Sequence, residues 1–198
     1  MATSYSALKT EITNWTHRSD LTSHIDTFID MAEAKMNRTL RMSEMEDSTA
    51  IAYSGSDISL PDGFLEMREI HVSSSPDTTL EFVAPFKLSQ LKQSGAGGIH
   101  VYYTIRDDAI ELYPTGSCTV EMVFYKEITP LDDTNTSNFV LADSPDLYFH
   151  GCMHNAYMYM RDVDSAAMHS QEFERIAEQM NKMSNRRKFS GPLQVRTA

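Results

Sequence analysis

The spacing of apolar residues changes twice along this chain, and that double change limits the folds open to it more than any single motif does. Near the start, Leu8, Ile12 and Trp15 recur at helical intervals, with Ser4 or Ser6 placed to cap the first turn. In SDLTSHIDTFIDMAEAKMNRTLRM, the residues Ile25, Phe28, Ile29, Ala32, Met36 and Leu40 keep that spacing over about four turns. From Ser48 the pattern becomes short β-branched and aromatic runs: AIAY, FLEMREIHV, LEFVA, HVYYTI, AIELY and VEMVFYKEI. Pro61-Asp62-Gly63 and Pro114-Thr115-Gly116 punctuate them, Arg106-Asp107-Asp108 suits a hairpin turn, and Phe86 to Leu91 suits a brief helical turn. Helical spacing then returns. Ser144-Pro145-Asp146 has a capping serine, a proline tolerated in the first turn and an acid at the positive end of the dipole. A last amphipathic helix runs from about Ser165 to Asn185, with Phe173, Ile176, Ala177, Met180 and Met183 on one face.

Helices on both flanks need each other to bury their apolar stripes. The expected fold is therefore α+β: a helical bundle formed by residues 1–47 and 140–185, an inserted antiparallel β-domain over 48–139, and an extended basic tail over 186–198.

With 198 residues and 41% hydrophobic side chains, the chain can bury a core. Its formal net charge of -11 repels phosphate backbones and anionic bilayers, which argues against tight nonspecific nucleic-acid or membrane binding. The acids are concentrated in the β-rich stretch, where Ser48 to Phe139 carries 13 acidic and 5 basic residues. Arg186 to Ala198 carries four basic residues and no acidic one. Cys118 and Cys152 are the only cysteines, and MATSYSALKTEITNW lacks the pattern of a secretory signal, so a reducing cytoplasm is expected. No run approaches the roughly 20 apolar residues of a bilayer span.

The one arrangement that hints at chemistry is HGCMH, with His150 and His154 a helical turn apart. A zinc-protease helix places a glutamate directly after its first histidine, and here that position is Gly151. Cys152 lies about 200° around the helix from His150 and cannot share a ligand direction with both histidines. His150, His154, Tyr157 and Arg161 form one semi-polar stripe, while Leu147, Phe149, Met153, Ala156, Met158 and Met160 cover much of the remaining girth. A helix this apolar is central or interfacial. Leu147, Phe149, His150, Met153, His154 and Tyr157 are thus expected to make core or subunit contacts. The opposing reading is a metal-dependent enzyme using His150 and His154.

Other candidates are weaker. Gly95 to Gly98 leads into a strand-like segment and lacks the lysine and hydroxyl of a phosphate loop. The pairs Asp107-Asp108 and Asp132-Asp133 fall in polar turns, and no serine sits in a nucleophile elbow. No cofactor is expected. Thirteen methionines suit either gap filling or adaptable protein contacts. In the tail, Arg186, Arg187 and Lys188 with Phe189, Leu193 and Val195 as apolar anchors suit docking onto an acidic partner groove.

Taken in order, SYSALKTEITNWTHRSDLTSHIDTFIDMAEAKMNRTLRM, LPDGFLEMREI, YYTI, VEMVFYKEITPL and NFVLADSPDLYFHGCMHNA resemble the head-to-tail adaptor proteins of short-tailed bacteriophages. The resemblance covers the chain to about Ala156. It implies a virion structural protein without catalytic residues, made in the host cytoplasm and placed in the neck of the particle. It further implies a homo-oligomeric ring, typically dodecameric, beneath the portal protein, with the helical part and C-terminal segment on the portal. The β-domain would face the tail nozzle or tail fibre proteins, and genomic DNA would pass through the channel without specific binding. A different neck or tail-completion component is the nearest alternative within that class.

Overall fold

The computed structural model describes residues 3–55, 57–73, 77–95 and 98–188. The chain opens with α1 (Tyr5–Thr16), a 3₁₀ turn (Ser19–His24) and α2 (Ile25–Thr39). It then forms β1 (Glu46–Tyr53), β2 (Ile58–Ser59), β3 (Phe64–Ser73), β4 (Thr78–Thr79) and β5 (Glu81–Phe82), followed by α3 (Pro85–Gln93). Next come β6 (Tyr102–Arg106), β7 (Ala109–Tyr113) and β8 (Cys118–Lys126), and finally α4 (Phe139–Asp143), α5 (Pro145–Tyr159) and α6 (Val163–Lys188). The architecture is α+β. Met1–Met45 and Ile128–Ala198 make one unit and Glu46–Glu127 the other.

The β-rich unit closes at Glu127, earlier than the change of composition near Phe139 implies. The reason is local: the Ile128 amide donates to Asn37 Oδ1 (2.9 Å) and the Leu131 amide to Glu33 Oε1 (2.9 Å), and both Ile128 and Leu131 are buried. A polar-looking stretch is thereby tied to α2.

In the helical unit, Ser4 caps α1 by accepting from the Ala7 amide. Tyr5, Leu8 and Ile12 are buried, whereas Trp15 is 60% exposed and sits on the flank. Helix α5 touches α1, α2, α4 and α6, as expected of a segment apolar around its circumference. Leu147, Tyr148, Cys152, Met153 and Ala156 are fully buried, and a side chain of the Leu or Met class contributes about 1.5–3 kcal/mol on burial. Gly151 is what lets α2 approach: a Cβ there would lie 2.9 Å from the Ala32 Cβ and 3.3 Å from the Phe173 ring.

Helix α5 ends in a Schellman motif. Arg161 takes a left-handed conformation (φ 62°), its amide donates to the Met158 carbonyl, and the Asp162 amide donates to that of Tyr157. Arg161 therefore leaves the histidine stripe to which helical spacing assigns it. Asp162 then starts α6 by accepting from the Ser165 amide and hydroxyl, bonds that hold its carboxyl below the usual range. Helix α6 runs to Lys188, so Arg186, Arg187 and Lys188 form its last turn and do not open an extended tail. Helix breakers come only at Gly191 and Pro192, and cations at a helix C-terminus are favoured by the dipole.

The β-rich unit holds two four-stranded sheets, ordered β1-β8-β3-β4 and β2-β7-β6-β5. Every pairing is antiparallel except β5 with β6, which runs parallel because α3 intervenes. Asp107 and Asp108 (φ 50° and 58°) make the tight turn between β6 and β7, a type I′ signature. Both sheets contribute to one core, with Val72, Val120, Met122 and Phe124 from the first and Tyr103, Ile110 and Leu112 from the second.

Candidate functional site

The histidine stripe of α5 faces α6. His150 Nδ1 lies 2.9 Å from His169 Nδ1, and His154 Nδ1 donates to the Ala166 carbonyl at 2.9 Å. Tyr157 stacks on His169 with centroids 5.4 Å apart, and Phe149 meets the same ring edge-on at 6.0 Å. Burial lowers the proton affinity of both His150 and His169, and the neighbouring imidazoles lower that of His169 further. These side chains brace one helix against the next. Among the described residues, no group of three or more His, Cys, Asp or Glu is arranged to hold a metal ion.

Beside this interface lies a buried polar node. Tyr148 donates its hydroxyl to Glu33 Oε1 (2.8 Å) and accepts from the Asn138 side-chain amide (2.7 Å). Glu33 is only 5% exposed, and its burial pushes the carboxyl up despite the bonds from Leu131 and Tyr148. Asn138 also caps α4, accepting from the Leu141 amide, and donates to the Thr129 carbonyl. One carboxylate thus ties α2, α5 and the stretch entering α4 together. Cys152 is fully buried, and the desolvation that raises its thiol pKa keeps it protonated and unreactive. Cys118 is also a free thiol.

The other sequence candidates have local uses. Asp132 accepts from the amides of Thr134 and Asn135 and from the Thr134 hydroxyl, which holds its carboxyl below the usual range. Asp107 and Asp108 serve the β6–β7 turn. The glycine-rich stretch follows α3 and leads to β6, the reverse of the strand-to-helix order of a phosphate loop. No helix is long and apolar enough to cross a membrane among the described residues.

Two surface features of the helical unit remain, one apolar and one cationic. Leu147 and Met153 are spent in the core of their own unit, but Phe149 is half-buried beneath Trp15, whose ring meets it edge-on at 5.3 Å. Met158, Tyr159, Val163 and Met168 are each more than half exposed. Large exposed apolar side chains in this number suit contacts with other proteins. At the end of α6, Arg187 pairs with Glu44 at 2.8 Å, beside a groove of about 260 Å³ lined by Met42, Asp143, Ser144, Met180, Met183 and Ser184. Arg186 is exposed next to it. Phe189, Leu193 and Val195 lie outside the described residues.

Sequence reasoning missed Glu33, Asn138 and His169. A lone acid on an amphipathic helix ordinarily reads as solvated, and His169 acquires meaning only once the turn at Arg161 folds α6 back along α5.

The arrangement is one of packing and docking. No curated protein matches the chain. The family model described as SU10 adaptor protein matches it over residues 3–196.

Proposed function

Since the chain belongs to the SU10 adaptor protein family, we propose that its role in the virion neck is to form a ring beneath the portal of a short-tailed phage. The family is one of phage structural adaptors rather than enzymes, which gives the chain a part in head-tail assembly. In our reading the ring is dodecameric, extends the DNA channel and offers the tail nozzle or tail fibre proteins a platform.

Heterologous contacts close into a ring when the rotation between neighbours permits. The exposed Trp15, Met158, Tyr159, Val163 and Met168 supply apolar area for such contacts. Symmetry then multiplies weak subunit contacts into stable attachment. A net charge of -11 suits a channel wall past which phosphates must slide. The cationic turn Arg186-Arg187-Lys188, with Phe189, Leu193 and Val195 beyond it, is assigned to the portal. Assembly takes place in the host cytoplasm.

The observation that carries this reading is the extent of the family membership, which spans both units. The test is to mix the purified chain with portal rings and with tail proteins, and to image the products by electron microscopy. Rings of adaptor seated on the portal are expected, with attachment weakened when residues 186–198 are deleted. Binding to tail proteins alone would overturn the portal assignment, and attachment unchanged by the deletion would remove the C-terminal segment from it.

A further inference from the structure

The contact between His150 and His169 is unusual in being made nitrogen to nitrogen. At 2.9 Å, two imidazole Nδ1 atoms hold a single proton: one ring donates and the other accepts. The ring centroids are 5.0 Å apart, and His169 is 7% exposed, held beneath Tyr157 and Phe149. A proton added at the donor ring's free Nε2 leaves this bond in place; only when both rings carry two protons do two N–H groups, each on a charged ring, oppose one another.

Asp146 and Glu172 favour charge on His150 but are outweighed by its burial, and the neighbouring imidazoles oppose charge on His169. From α5 the pair is faced by Asp146 and His154, and His154 is committed to the Ala166 carbonyl. From α6 it is faced by Glu172 and Arg175, but Glu172 is gripped by the Arg175 guanidinium at 2.8 and 2.6 Å. From α2, Lys35 is turned to Ser170 and Glu174 (3.1 and 3.5 Å), and from α1 the neighbour is Trp15 on Phe149.

We propose that His150 and His169 form a proton-operated latch between α5 and the start of α6: while a proton is shared between the two Nδ1 atoms the contact holds, and charging both rings breaks it. The sign follows from linkage. Burial depresses proton binding to both rings in the folded chain, so the unfolded chain charges them first. The stabilisation is complete above the unfolded imidazole value of about 6.5 and is lost as the pH falls below it. The inference stands apart from the adaptor reading, because it concerns one helix pair of the isolated chain.

The test uses the full chain. Histidine-selective NMR titration, thermal unfolding at pH 7.5 and 5.5, and hydrogen exchange of α6 would be measured for wild type, His150→Gln, His169→Gln and the double variant. Glutamine keeps a donor and an acceptor but cannot charge. In the wild type the proton that charges the second ring should bind at least tenfold more weakly than it binds an exposed histidine, and amides at the start of α6 should exchange faster at pH 5.5. The wild type should lose more melting temperature on acidification than any variant, and the double variant should behave as the singles do. Two rings titrating as independent imidazoles would overturn the latch, as would equal melting losses in wild type and variants. Should one single variant fail to fold, the other and the wild-type titration still decide.

Discussion

Gly151 and Ala32 mark a close approach of α5 to α2, with space for a hydrogen on Gly151 and none for a methyl group: an added Cβ would stand 2.9 Å from that of Ala32. Alanine at position 151 gains about 1 kcal/mol of helix propensity but overpacks a rigid seam, which typically costs about 1–3 kcal/mol. Gly151→Ala is therefore expected to lower stability by about 1 kcal/mol in urea unfolding. Ala32→Gly alone costs about 1 kcal/mol of helix propensity, so the double variant should lose less than the sum of the two single losses. A strictly additive loss would show that the seam does not set the spacing.

Glu33 gives a prediction in pH as well as in energy. Glu33→Ala leaves the Tyr148 hydroxyl and the Leu131 amide without their acceptor, and is expected to cost about 1–3 kcal/mol. Because burial raises the folded-state pKa of Glu33, the folded chain keeps a proton that the unfolded chain has released. Its contribution to stability therefore falls as the pH rises from the unfolded value, about 4.3, through the folded one. Glu33→Gln removes this dependence. Its stability relative to wild type, followed by melting across that window, should improve as the pH rises.

Asn138 fills three roles at once: it caps α4 through the Leu141 amide and donates to Tyr148 and to the Thr129 carbonyl. Asn138→Ala should cost about 1–2 kcal/mol, the upper range for loss of a cap. Asn138→Asp keeps the cap acceptor but loses both donors and brings a second carboxylate to the hydroxyl shared with Glu33. It should also be destabilised in thermal unfolding, by an amount that shrinks on acidification.

Trp15 separates folding from assembly. Being 60% exposed, with one edge-on contact to Phe149, it should tolerate Trp15→Ser with a stability loss of only about 0.5–1.5 kcal/mol. If the exposed aromatic surface joins neighbouring copies, the same change should sharply reduce ring formation on grids and in native mass measurements. Rings forming at the wild-type concentration would assign the surface another role.

Elements with an uninterrupted period were legible in the sequence. The stripe from Ile25 to Met36 is α2, and Pro145 and Asp146 do begin α5. The β6–β7 turn was legible because Asp107 and Asp108 tolerate a left-handed backbone. LEFVA contains β5, but the two-residue strands β2 and β4 were not legible, since a pair of residues has no period to read. Trp15 was misplaced because the buried side of α1 is set by Tyr5, Leu8 and Ile12, and a residue three further on drifts to the edge of that stripe. The HGCMH segment showed its apolar girth and its missing general base. Its partner did not show, because His169 meets His150 only after the Schellman turn reverses the chain.

The central place of β8 has a consequence during synthesis. Strand β1 bonds only to β8 in its sheet, and β3 leans on the same strand, so Glu46 to Ser73 must leave the ribosome and wait for Cys118 to Lys126 before either finds its long neighbour. At about 5–20 residues per second, that wait lasts seconds. In that interval the nascent chain presents strand edges without their long neighbour, and crowding on polysomes would favour pairing between chains. Slowed translation in this stretch should therefore lower the yield of soluble protein without altering a single contact of the finished fold.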